Sequence, residues 1–224
     1  MSPASLEALL GHSFARPDLL REALTHRSAL QRRRPRIPSN ERLEFLGDRV
    51  LGLLIAEWLL ERFPHEPEGH LGRRLGHLVS QPVLAAVAEE IGIRDALDVA
   101  PEEEKTGVKH RATVLADALE AALGALYLDG GLEAARDFVR RAWDASMEAQ
   151  QQPPKDPKSR LQEWAHRRTR ELPAYEVVSR AGPSHAPEFV ATVTVGEKTG
   201  TGVAGSKQQA ERLAAEDLLR QITR

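Results

Sequence analysis

Five carboxylates fall into two short clusters. Glu41, Glu44 and Asp48 lie in Asn40-Glu41-Arg42-Leu43-Glu44-Phe45-Leu46-Gly47-Asp48, and Asp117 with Glu120 in Leu115-Ala116-Asp117-Ala118-Leu119-Glu120-Ala121. Each residue of an α-helix advances about 100°, so Glu41, Glu44 and Asp48 share one narrow arc while Leu43, Leu46 and Val50 take the opposite side. Asp117 and Glu120 are i, i+3 neighbours. Like charges at these spacings cost a helix roughly 0.2–0.5 kcal/mol per pair, and Gly47 inside the helix costs about 1 kcal/mol relative to Ala. Helix stability alone does not select such a stretch. A positive group set against the acidic face, approaching closely at the small residue, accounts for both features. A solvated acidic face beside a core stripe is the plainer alternative. Carboxylates with neither Cys nor paired His suit a hard cation, magnesium or manganese.

The elements that must carry these clusters can be read around them. Pro38 precedes Ser39 and Asn40, either of which suits a helix N-cap, and Pro64 ends the segment. From Leu51 to Leu60 this helix is apolar almost all round, which makes it central rather than superficial. The second cluster sits on a helix over 113–128 rich in Ala116, Ala118, Ala121, Ala122, Gly124 and Ala125. Such small residues permit close packing against the central helix and bring Asp117 and Glu120 towards Glu44 and Asp48. Gly130-Gly131 should end that helix, with a last helix over 132–147. Two short helices are expected within 6–30, one starting at Pro17. Two more are expected over 71–80 and 82–91, and 101–107 reads as a charged loop with Glu102, Glu103 and Glu104 solvated. His65, His70 and His77 are close in sequence but offer no i, i+4 pair, so exposed side chains are expected rather than a metal cluster. The run Arg32-Arg33-Arg34-Pro35-Arg36 either guides a phosphate backbone towards the acidic face or is a solvated loop.

The pattern changes after Gln150. Gln150-Gln151-Gln152-Pro153-Pro154-Lys155-Asp156-Pro157 has the composition of a linker. A helix over 158–169, strands over 175–178, 188–195 and 199–203, and a closing helix over 206–222 follow. Residues 1–150 hold 19 Lys and Arg against 24 Asp and Glu, a net −5, while 151–224 hold 12 against 9, a net +3. An acidic part joined to a basic part suits a metal-dependent catalyst coupled to a polyanion-binding module. The chain of 224 residues is 41% hydrophobic, enough for real cores, and has no Cys, so no disulfide framework or thiolate zinc site is available. No secretory leader is expected, and no apolar run reaches the roughly 18 residues of a membrane span.

These residues also carry a resemblance. Asn40-Glu41-Arg42-Leu43-Glu44-Phe45-Leu46-Gly47-Asp48 resembles the signature of the ribonuclease III family, and Ala116 to Ala121 resembles its second acidic motif. Leu24-Thr25-His26-Arg27-Ser28-Ala29 is similar to its N-terminal motif, and Tyr127-Leu128-Asp129-Gly130-Gly131 to the end of its catalytic helix. Leu161-Gln162-Glu163, Gly182-Pro183-Ser184-His185 and Gly205-Ser206-Lys207-Gln208-Gln209-Ala210 resemble the double-stranded-RNA-binding domain.

The resemblance implies an all-α endonuclease domain over 1–149, a linker over 150–156, and a small α+β domain of order α-β-β-β-α over 157–224. It implies a magnesium-dependent endoribonuclease, manganese also serving, that cuts double-stranded RNA to 5′-phosphate and 3′-hydroxyl ends with short 3′ overhangs. Ribosomal RNA precursors and other structured transcripts are the expected substrates, the cytoplasm the expected place, and a homodimer without membrane partner the expected assembly. Glu44, Asp48, Asp117 and Glu120 are then the metal ligands, with Asp48 and Glu120 central to catalysis and Glu41 assisting or positioning substrate. Gln162, His185, Ser206, Lys207 and Gln208 are the expected RNA contacts. Phe45 is either core or an anchor in the partner subunit, and the ligand carboxylates beside it favour the second.

Two departures stand out. The family usually has a basic residue near Leu75, a role open to Arg73 or Arg74, and a Lys where this chain has Gln208, which removes a phosphate contact. A catalytically dead RNA-binding regulator and a nucleotide phosphohydrolase are the rival readings. The intact carboxylates oppose the first and the C-terminal module the second.

Overall fold

The computed structural model describes residues 3–32, 38–154, 156–168, 171–181 and 188–222. The chain divides into two compact units, Met1–Pro154 and Lys155–Arg224.

The first unit is helical: α1 (Pro3–Leu10), α2 (Pro17–Ala23), a 3-10 turn (Arg27–Arg32), α3 (Glu41–Arg62), α4 (Glu68–Leu78), α5 (Gln81–Glu90), α6 (Ile93–Ala96), α7 (Pro101–Lys105), a second 3-10 turn (Val108–His110), α8 (Ala112–Ala142) and α9 (Asp144–Glu148). Helix α3 is central as expected. It buries Leu43, Gly47, Val50, Leu51, Leu54, Ile55 and Leu59, a stripe at helical spacing, and packs along α8.

The α3–α8 crossing is a backbone contact. A Cβ added at Gly47 would lie 1.8 Å from the Glu120 carbonyl oxygen, and one at Gly124 would lie 2.3 Å from that of Leu43. What approaches closely at Gly47 is therefore the α8 backbone, not a positive group on the acidic face. Only glycine at both places allows helix axes this near.

Local expectations needed correction at three places, and the glycine break in α8 held. Residues 101–105 form a helix rather than a charged loop: Pro101 sits at its first turn and Glu102, Glu103 and Glu104 follow, where anions favour the helix N-terminus. Gly131 interrupts the helix as expected: at φ 76 and ψ −173, a conformation reserved for glycine, it is the kink at which the two helices that make up α8 meet. Beyond the kink Arg136 pairs with Glu57 at 2.8 Å, which keeps the distal half of α8 on α3. Asn40 stands at the N-cap of α3, as expected, but makes no side-chain capping bond; the Glu44 N–H donates to its carbonyl at 2.9 Å. Ser39 Oγ donates to Glu41 at 3.0 Å, while Asn40 is buried and its N–H donates to the Thr25 carbonyl at 3.0 Å. Finally, Arg74 is fully buried. Its guanidinium donates to Glu66 at 2.7 and 2.8 Å, donates to the Gln150 carbonyl, and lies 3.7 Å from the Phe63 ring centroid. It is a structural pin that still holds the chain at Gln150, and of the two arginines near Leu75 only Arg73 faces solvent.

In the second unit α10 (Pro157–Arg168) and α11 (Lys207–Ile222) enclose a core with an antiparallel sheet, order β1-β2-β3, of β1 (Ala174–Ala181), β2 (Glu188–Val195) and β3 (Lys198–Ala204). Ala191, Val193 and Val195 alternate inward along β2 and meet Leu161, Ala165, Ala214 and Leu218. Gly200 and Gly202 let α11 lie almost on β3: Cβ atoms there would stand 2.5 Å from the Ala214 carbonyl and 2.2 Å from the Ala210 carbonyl. Among the described residues no helix is long and apolar enough to cross a membrane.

Candidate active site

The α3–α8 crossing sets two carboxylate-bearing stretches side by side. Glu44 stands one turn before Gly47 on α3, and Asp117 and Glu120 stand two turns and one turn before Gly124 on α8. One carboxylate oxygen from each of Glu44, Asp117 and Glu120 lies within 4.8 Å of the others. Among the described residues this is the only such grouping of His, Asp or Glu, so His65, His70 and His77 form none.

The electrostatics reflect this crowding. Burial, then Asp48, Glu44 and Asp117, push the Glu120 carboxyl up to about 7, with Arg49 opposing. Burial, then Asp117, Glu41 and Asp48, raise Glu44. Burial also raises Asp117, against His26 and Arg27. Such mutual elevation marks like charges held together by the fold. A divalent cation bound among them removes the repulsion. Oxygens sharing one octahedral magnesium at about 2.1 Å stand about 3 Å apart in adjacent positions and about 4.2 Å across the ion, so the three side chains would draw in towards a bound ion. The donor set therefore fits a hard cation.

Asp48 is not inside this trio. It is half-exposed, and its Oδ2 accepts from Arg49 at 2.7 Å, yet its charge reaches both Glu44 and Glu120. Glu41 is exposed and lines a neighbouring cavity of about 720 Å³. Phe45 is 64% exposed, which removes it from the core, with the Arg49 guanidinium 4.1 Å from its ring centroid.

The cavity adjoins Glu44 and Asp117 and is also lined by His26, Arg27, Ser28, Asn40 and Arg111. Sequence reading assigned no part in the site to these five, Asn40 having been read as a helix N-cap. The stretch 25–28 arrives through a parallel bridge between Thr25 and Asp98: His26 N–H donates to the Asp98 carbonyl at 3.0 Å, and Asp98 N–H to the Leu24 carbonyl at 2.9 Å. Ser28 Oγ then accepts from the Ala100 N–H at 3.0 Å, and Ser28 N–H donates to His26 Nδ1 at 3.3 Å. The bridge spans too much sequence for local patterns to reveal. The available signal was the motif Leu24-Thr25-His26-Arg27-Ser28-Ala29 itself.

In the second unit Ser206 stands at the start of α11. Its Oγ accepts from Gln209 N–H at 3.3 Å and its carbonyl from Ala210 N–H at 2.9 Å. Ser206, Lys207 and Gln208 are exposed beside the helix N-terminus, where free N–H groups and the dipole favour phosphate. Gln162 lines a shallow recess on α10 with Ser159, Glu163 and His166. His185 and Arg33 to Arg36 lie outside the described residues.

Residues 16–144 match the family described as Ribonuclease-III-like, and residues 157–222 match the double-stranded RNA binding motif. Ribonuclease 3 of Rhodopseudomonas palustris is 46% identical over 217 residues, spanning 96% of this chain and 79% of that protein. Ribonuclease 3 of Azorhizobium caulinodans is 45% identical over 217 residues, spanning 96% of this chain and 92% of that protein. Among solved structures, the nuclease domain of ribonuclease III from Campylobacter jejuni is 35% identical, with a TM-score of 0.61, covering 66% of this chain and 99% of that one. That structure is described for flexibility in a region involved in dimer formation.

Proposed function

The chain belongs to the ribonuclease III family of metal-dependent endoribonucleases acting on double-stranded RNA, and we propose that its metal is magnesium, held by Glu44, Asp48, Asp117 and Glu120. Manganese serves in its place. Bound there, the ion lowers the pKa of a water and offsets charge on the scissile phosphate. In the hydrolysis the water oxygen bonds to phosphorus, the bond from phosphorus to the 3′ oxygen breaks, and a proton goes to that oxygen. The products are 5′-phosphate and 3′-hydroxyl ends with short 3′ overhangs. Glu44, Asp117 and Glu120 hold the ion and Asp48 completes the set. Glu41, at the cavity mouth with Ser39 on its carboxylate, positions substrate.

The observation that carries this reading is three carboxylates from two helices within 4.8 Å, at a crossing fixed by Gly47 and Gly124. Residues 1–149 are assigned the chemistry, 150–156 the tether, and 157–224 the grip on duplex through Gln162, His185, Ser206, Lys207 and Gln208. A homodimer sets two sites on one duplex. The exposed Phe45, Leu53 and Leu60 of α3 supply apolar surface for it, Phe45 as anchor. Ribosomal RNA precursors and other structured transcripts in the cytoplasm are the proposed substrates.

The test is end-labelled duplex RNA incubated with the protein in magnesium, in manganese and in chelator, beside single-stranded RNA and the Glu120→Gln variant. Metal-dependent cutting of duplex alone, lost in the variant, supports the reading. Duplex binding without cleavage in either metal overturns it in favour of an RNA-binding regulator.

A further inference from the structure

Arg49 follows Asp48 on α3 and makes three contacts with its own helix. Nη1 donates to Asp48 Oδ2 at 2.7 Å and to the Phe45 carbonyl at 3.2 Å. The guanidinium carbon stands 4.1 Å from the Phe45 ring centroid. The carbonyl and the ring, both one turn back, hold the guanidinium beside Asp48 on the exposed surface of α3. Its charge also reaches Glu120, where it opposes the elevation caused by burial and three neighbouring carboxylates. The site thus carries one cationic side chain in hydrogen-bonding contact with one of its four acidic residues.

We infer that Arg49 is a built-in counter-cation that competes with the divalent ion for Asp48 and so sets how tightly the cluster holds that ion. The inference rests on the assignment of Asp48 as a ligand. Three features support competition over a merely structural ion pair. The shared partner is the carboxylate whose oxygen is absent from the trio within 4.8 Å. Drawing Asp48 into the trio requires Oδ2 to leave Arg49 or to share two cations, and the cations repel. Lastly, Arg49 and Asp48 side chains are 59% and 50% exposed, so the pair is weak enough to exchange. Arg49 is accordingly a positioning residue, acting through Asp48.

The test is calorimetric titration of magnesium and, separately, manganese into the full chain without RNA. The variants are Arg49→Ala, Arg49→Lys, Asp48→Asn and the double variant Asp48→Asn/Arg49→Ala. Arg49→Ala should lower the metal dissociation constant about two- to five-fold, the range an exposed ion pair carries. Arg49→Lys, which keeps the charge, should stay closer to wild type. The gain should vanish in the Asp48→Asn background, since the two residues act on one another. Unchanged or weaker metal binding in Arg49→Ala overturns the inference, as does a gain that survives without Asp48. Circular dichroism confirms that each variant is folded. Glu120→Gln separates the two levels: if it and Asp48→Asn bind metal like wild type, the metal-site reading itself fails. If both weaken binding while Arg49→Ala changes nothing, only the role of Arg49 is lost.

Discussion

Gly47→Ala sets two physical effects against each other with opposite signs. In an isolated helix the change stabilises by about 1 kcal/mol, because Ala is the better helix former. In the fold the new methyl would stand 1.8 Å from the Glu120 carbonyl oxygen and 2.6 Å from its carbon. Contacts under 3.0 Å are essentially unknown for real Cβ atoms, so the helices must separate by at least about 1 Å or tilt. Both atoms struck are backbone and neither can rotate away. Forced overpacking of a core costs about 1–3 kcal/mol and occasionally more, and the upper part of that range applies to a backbone collision at the central crossing. The expected net loss is about 2 kcal/mol, a drop in melting temperature of about 4–8 °C for a unit of this size. Activity should suffer more. The residue struck is itself Glu120, and Glu44 lies one turn before the new methyl, so the separation is applied directly across the carboxylate trio. Ligand distances tolerate only about 0.2 Å, and a misplacement near 1 Å costs about a hundredfold in rate. Thermal unfolding and single-turnover cleavage of duplex RNA measure the two losses. A variant that melts at or above the wild-type temperature and cuts at the wild-type rate would refute the backbone contact, with helix propensity left as the larger effect.

The raised Glu120 carboxyl, near 7, gives two expectations. Metal affinity should rise as pH passes through about 7, because a ligand carboxylate must be ionised. The stability that protonation contributes is fully present below the ordinary Glu value and is lost as pH rises through about 7, so in chelator Glu120→Gln should gain on wild type in melting temperature between pH 5 and 8. A constant difference across that range would show that Glu120 does not titrate there. Glu120→Gln should abolish duplex cleavage in magnesium while leaving duplex binding in calcium nearly unchanged. Equal cleavage rates at limiting magnesium would remove Glu120 from the site. Gln208→Lys should tighten duplex binding and steepen the slope of log affinity on log salt by up to about one unit; an unchanged slope would mean the position does not face phosphate. Phe45→Ala should weaken dimerisation, read by sedimentation, with little loss of melting temperature, since the ring is already 64% exposed. A dissociation constant equal to wild type would exclude it as an anchor.

Much of this was legible because it was local. The span of α3 followed from Pro38, Pro64 and an apolar stripe at helical spacing, and the three strands from alternation over 188–195 and its neighbours. The carboxylate clusters were legible because they break helix rules: like charges on one face and a glycine in mid-helix have no local rationale. What Gly47 serves was not legible. A glycine permits close approach from any direction, and its contact with the Glu120 carbonyl depends on how two helices seventy residues apart cross. The same limit hid the delivery of His26 and Ser28 to the cavity through Asp98. Arg74 shows the opposite failure. Arginine beside Arg73 on a short polar helix reads as surface, whereas its enclosure by Glu66, Phe63 and the Gln150 carbonyl is decided by long-range packing. Asp129 is similar: its carboxylate accepts from the N–H groups of Ala15 and Arg16 at 2.9 Å and pairs with His12 at 2.8 Å, tying the α1–α2 turn to the kink in α8.

The site and the core are two faces of one construction. Like charges on exposed helix faces cost a few tenths of a kcal/mol per pair, and partial burial of Glu44, Asp117 and Glu120 raises that cost. Against it stands the apolar packing further along the same helices, where Leu51, Leu54, Ile55 and Leu59 of α3 and Leu115, Leu119, Leu123 and Leu126 of α8 are buried. Each full burial of such a side chain contributes about 1.5–3 kcal/mol, so packing outweighs the repulsion several times over. The glycine contact then leaves the helices no soft direction in which to relax. The carboxylates are consequently held near one another by the core rather than assembled by their ligand. A cation would have only to remove charge repulsion and draw the side chains in. That division explains why the acidic motif and the small-residue motif belong together: either alone gives an ordinary helix, and only their superposition gives a carboxylate cluster that could hold a cation.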